Sequence, residues 1–98
     1  MEVDPDQLKQ AIESRHGGRA ALLQSVPVRE IHGDTLAWEG VVHIFVLAGH
    51  PAAARVYAWT SSMEGSDRRR FYAVLHVGGI QSPQDAVRAA IVTEREDI

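Results

Sequence analysis

"WEGVVHIFVLAGHPAAARVYAW", Trp38 to Trp59, decides the fold. Apolar and small residues run up to Gly49-His50-Pro51 and away from it, and a Gly two residues before a Pro marks a turn, so the stretch reads as one antiparallel hairpin. Centring the turn on His50-Pro51 pairs Leu47 with Ala54, Phe45 with Val56 and His43 with Ala58. The hairpin holds Trp38, Tyr57, Trp59, His43 and His50. Whether those side chains form a surface, a metal site or a core depends on what the rest of the chain lays against them.

Upstream, "SVPVREIHGDTLAWEG" contains Gly33-Asp34, a two-residue hairpin turn of the kind that needs Gly first. It predicts strands over about 26–32 and 35–47, with His32 opposite Thr35, Ile31 opposite Leu36, Arg29 opposite Trp38, Val28 opposite Glu39 and Val26 opposite Val41. Pro27 cannot donate to a ladder, so this strand should be an edge. Downstream, "AARVYAWTS" reads as a third strand and "RRFYAVLHV" as a fourth, after the polar loop "SMEGSDR".

Helices flank the strands. "DPDQLKQAIESRHGG" has Asp4 as N-cap, Pro5 at the first helical position and Gly17-Gly18 as its stop, so helix one runs over about 5–16. "SPQDAVRAAIVTERE" opens the same way with Ser82, Pro83 and Asp85. Residues 19–25 fit either a helical turn or an early start of strand one. The class is α+β: an N-terminal helix, a four-stranded antiparallel meander and a C-terminal helix, with both helices expected on one face of the sheet.

Alternation then divides the side chains. Val26, Val28, Ala54, Val56 and Ala58, joined by Phe71, Ala73, Leu75 and Val77, should form the helix-covered face. The other face collects Trp38, Val42, Ile44, Val46, Arg55, Tyr57, Trp59, Tyr72, Val74 and His76. Left bare, it would exceed the apolar patch a monomer carries, so it should curl around a ligand or meet another chain. Gly40 is a candidate bulge that would reset this parity.

Composition removes several function classes. The 98 residues suit one domain, 1–98, and a net charge of −3 supplies no field for nucleic acid or an anionic membrane. Without Cys there is no disulfide, thiolate metal site or Cys nucleophile, and "MEVDPDQLKQ" lacks a signal peptide's basic and apolar segments. A cytoplasmic protein with no membrane span is expected. The five His share no ligand spacing, and no phosphate loop or nucleophile elbow occurs, so neither metal nor cofactor is expected. "DRRRFY", Asp67 to Tyr72, is the one basic cluster, and the second helix lacks the Lys run that double-stranded-RNA-binding domains, which this element order superficially resembles, would use.

The expected working surface is therefore Trp38, Arg55, Tyr57, Trp59, Tyr72 and His76. Its first reading is an interaction or ligand-binding module that forms a homodimer through this aromatic face, with a protein or small molecule as a further possible partner. Its second is a small enzyme in which His76 moves a proton beside Tyr57 or Tyr72 while Arg55 holds an anion.

Read in order, Trp38-Glu39-Gly40, Gly49-His50-Pro51, Tyr57-Ala58-Trp59, Arg69-Arg70-Phe71 and "SPQDAVRAAI" give a chain that resembles a group of short, uncharacterised bacterial proteins of about this length. The similarity spans roughly residues 26–92. It implies a bacterial, stand-alone soluble protein and no particular activity.

Overall fold

A computed structural model describes residues 5–62 and 69–96. Residues 63–68 of the "SMEGSDR" loop, with Asp67 and Arg68 of the basic cluster, and the expected N-cap Asp4 lie outside the described residues.

Helix α1 runs from Pro5 to His16, and Leu8 and Ile12, one turn apart on the same side, are its buried residues. Gly17 and Gly18 end it with positive φ of 79° and 76°. A Cβ on Gly18 would come within 2.5 Å of the Ala48 carbonyl oxygen, so only glycine lets the chain turn this tightly into the sheet.

Strand β1 then spans Arg19–His32, which assigns residues 19–25 to the sheet, and β2 spans Thr35–Ala48. Gly33 has φ 62° and Asp34 does not have positive φ, the geometry of a type II′ turn. Strands β3 (Arg55–Ser62) and β4 (Arg69–Leu75) complete an antiparallel sheet in the order β1-β2-β3-β4. Strand β1 is an edge, as Pro27 requires. Counted back from the turn-closing His32–Thr35 pair, alternation directs the Pro27 nitrogen to that free edge.

The His50-Pro51 hairpin keeps its expected register: Phe45 faces Val56, His43 faces Ala58, and Leu47 N–H donates to the Ala54 carbonyl at 2.8 Å. The first hairpin does so only near its turn. Ala37 is an extra residue on β2, so Glu30 faces Trp38, Arg29 faces Glu39, Val28 faces Gly40 and Val26 faces Val42. The bulge is at Ala37 and not at Gly40. A second irregularity, at Leu23 on β1, compensates, and Leu22 faces Phe45.

The two helices do not share a face. Leu8 and Ile12 of α1 pack with Ala20, Phe45, Leu47, Val56 and Ala58, and Ala73 and Leu75 close against them. Helix α2, Pro83–Glu96, places Ala86 and Val87 on the other side with Val28, Val42, Ile44, Tyr57 and Trp59. The physical reason is that this sheet is apolar on both sides, and each side needs its own cover. The Ala37 bulge also moves Val26 and Val28 to the α2 side. Full burial of side chains such as Phe45 and Val42 contributes about 1.5–3 kcal/mol each.

Helix α2 is fixed by its cap and by one carboxylate. Asp85 N–H donates to Ser82 Oγ at 3.1 Å while Gln81 N–H donates to Asp85 Oδ2 at 3.2 Å, a reciprocal cap. Glu30, 3% exposed on β1, accepts from Arg88 Nε at 2.7 Å and from Gln84 Nε2 at 3.0 Å. Among the described residues no helix is long and apolar enough to cross a membrane.

Candidate functional site

The six residues expected to form an open aromatic face fall into two groups inside it. Trp59, 2% exposed, lies parallel to Tyr72 with ring centroids 5.1 Å apart and tilts against Trp38 at 6.0 Å. Trp38 folds back over its own strand, where a Cβ on Gly40 would meet the indole at 2.7 Å. Helix α2 closes this stack through Val87, Ala90 and Ile91, leaving a cavity of about 130 Å³ that Ser61 also lines. Of the six residues expected at the working surface, Tyr57 and Trp59 are buried, Trp38, Tyr72 and His76 are half-buried and Arg55 is exposed.

Two residues along β3, the second group gathers. Tyr57 Oη lies 2.6 Å from His76 Nδ1. Burial raises the pKa of the Tyr57 phenol, Arg55 opposes the rise and Asp85 adds to it, so the hydroxyl keeps its proton where it faces His76 Nδ1. Arg55 itself is exposed, next to the dyad and away from Trp38.

A third feature was not visible in the sequence. His76 N–H donates to the Arg55 carbonyl at 3.0 Å, and this fixes the alternation along β4. Arg70, Tyr72 and Val74 direct their backbone groups to β3, while Phe71, Ala73 and Leu75 direct theirs to the free edge. That edge opens into a groove of about 520 Å³ that wraps both sides of the strand. On one side stand Phe71, Ala73 and Arg15 of α1; on the other stand Arg70, Tyr72, Val74, Ile80 and the α2 residues Ala89, Ala90 and Thr93. His16 of α1 reaches the edge too, with Nε2 3.2 Å from the Ala73 carbonyl oxygen.

Of the expected site residues only Tyr72 lines this groove. Arg15 and His16 sit in the last turn of α1, where positive charge suits the helix dipole, and nothing local ties His16 to Ala73, 57 residues away. Glu30 and Arg88 were missed for the same reason.

His43 and His50 are held by near neighbours. His43 Nδ1 is 2.7 Å from Ser25 Oγ, and His50 Nδ1 accepts from the Ala52 and Ala53 N–H groups at 3.0 and 3.1 Å, closing its own turn. Among the described residues no three His, Asp or Glu side chains gather as metal ligands. No family model, curated protein or solved structure matches the chain.

Proposed function

We propose that this chain is a small cytoplasmic binding module that takes an extended segment of a partner as a fifth strand on the free edge of β4. The observation that carries the reading is the pairing of outward backbone groups at Phe71 and Ala73 with a groove that receives side chains on both sides of the strand. Strand addition needs both: main-chain bonds for affinity and alternating pockets for selectivity. The contrast between the two edges supports it. Strand β1 is blunted by Pro27 and by the Leu23 irregularity, whereas the described part of β4 contains neither device.

His16 holds the Ala73 carbonyl, so a guest strand uses the Phe71 N–H and C=O and the Ala73 N–H, or takes the place of the imidazole. The aromatic stack then acts as the rigid floor beneath the site instead of its surface. A cytoplasmic setting fits a chain with no cysteine.

The test is a hexapeptide library displayed on phage and selected against the immobilised chain. Selected peptides should be rich in strand-forming residues, should protect the Phe71 and Ala73 amides from exchange, and should lose binding to Ala73→Pro, which removes an edge N–H and leaves the β3 ladder intact. Binders indifferent to that substitution, with no protection along β4, would overturn the reading.

The Tyr57–His76 bond favours a second reading, an acid–base site at the Arg55 end of the sheet. It calls for a His76 imidazole resonance that shifts on adding phosphate or carboxylate anions and does so less in Arg55→Gln. An unresponsive His76 would remove it.

A further inference from the structure

We infer that the guest strand alternates acidic with apolar side chains, its carboxylate meeting Arg15 and its apolar residues lying under α2. This rests on the strand-addition reading and names the partner's chemistry.

The two sides of the β4 groove differ. An added strand sends successive side chains to opposite faces, so one set falls on the α1 side and the other on the α2 side. The α2 side is made by Tyr72, Val74, Ile80 and Ala90, and the hydroxyl of Thr93 there is already donated to the Ala89 carbonyl at 2.9 Å. Arg70, which alternation puts on this side at the Ser61 end, has an interaction of its own, and from Tyr72 to Val74 the lining is apolar. Small Ala side chains leave room for a branched apolar residue.

On the α1 side, Arg15 is exposed and, among the described residues, forms no ion pair or hydrogen bond. Phe71 stands beside it, 42% exposed, and the two share a small cleft with Leu8 and Ile12. A glutamate fits this pair of neighbours: its methylenes cover the Phe71 ring while its carboxylate reaches the guanidinium. Charge also argues against a second copy as the guest. Pairing two β4 edges about a two-fold axis would bring the Arg15 guanidiniums of the two copies to the same seam.

The experiment uses fluorescein-labelled Thr-Val-Glu-Val-Glu-Val, its Lys-for-Glu counterpart and its Gln-for-Glu counterpart, titrated by anisotropy against wild type, Arg15→Gln and Arg15→Glu. Circular dichroism on each variant checks the fold. On wild type the Glu peptide should bind roughly tenfold more tightly than the Lys peptide, Arg15→Gln should erase most of that difference, and Arg15→Glu should reverse it. Equal binding of the three peptides to wild type, with protection at Phe71 and Ala73, would overturn the acidic preference and leave strand addition standing. No binding by any of them, together with no β4-edge binders from the phage library, would overturn both.

Discussion

Tyr57 Oη and His76 Nδ1 stand 2.6 Å apart on the α2 side of the sheet, bridging β3 to the residue that follows β4. The phenol is 2% exposed, and its raised pKa makes the bond a source of pH dependence.

Because the folded-state pKa of Tyr57 lies above the unfolded value of about 10, its contribution is fully present below that pH and is lost as pH rises through the folded value. Urea midpoints measured from pH 7 to 11 should therefore fall at the alkaline end, and Tyr57→Phe should flatten part of the fall. Absorbance of phenolate near 295 nm should show one tyrosine ionising late in wild type and absent in that variant. A Tyr57→Phe curve parallel to wild type would contradict the assignment.

Removing one partner of the Glu30–Arg88 pair leaves the other half of a partly buried contact unmatched. Arg88→Ala should destabilise the fold by about 2 kcal/mol, since Gln84 still serves the carboxylate, and Glu30→Ala by a similar amount. The double substitution should cost less than the sum, a coupling of about 1 kcal/mol in chemical denaturation. Simple additivity would mean that the pair does not hold α2.

Gly40→Ala forces a methyl group into the Trp38 indole. The ring must move off its strand, at about 1–2 kcal/mol. Near-ultraviolet circular dichroism, sensitive to the Trp38–Trp59–Tyr72 arrangement, should change together with the melting temperature, whereas an unchanged spectrum would place Trp38 elsewhere.

Trp59→Glu separates a buried stack from an exposed interface. With Trp59 held between Trp38 and Tyr72 under α2, the substitution should remove roughly 3–5 kcal/mol of packing and add an unpaired buried charge. Against a total stability of about 5–15 kcal/mol, much or all of the population should unfold. A folded Trp59→Glu monomer would show that the indole is at the surface.

The parts of this architecture legible in the chain are those with local causes. Gly33-Asp34 and Gly49-His50-Pro51 fix turns by backbone chemistry, Pro27 marks its edge, and Ser82 with Asp85 opens α2 as read. Ala37 has no such signature. An alanine bulges there because Glu30 and Trp38 settle opposite one another on the α2 side, a tertiary preference that alternation cannot register. The side chosen by each helix was hidden for a related reason: both stripes are narrow and apolar, and both sheet faces can receive either. Of the site, the mutual contacts of Tyr57 with His76 and of Trp38, Trp59 and Tyr72 were foreseeable from register. Their cover by α2, and the Arg15–Phe71 corner of the groove, depend on how distant segments meet.

Pro27 also governs what this sheet can build. A β1 edge docked on the β4 edge of the next copy would repeat head to tail without end, the geometry of a growing filament. The missing amide hydrogen in the middle of β1 interrupts that docking, while leaving β4 able to accept a foreign strand. Under the strand-addition proposal, growth would stop after one addition, and the chain would terminate a sheet rather than link one to the next.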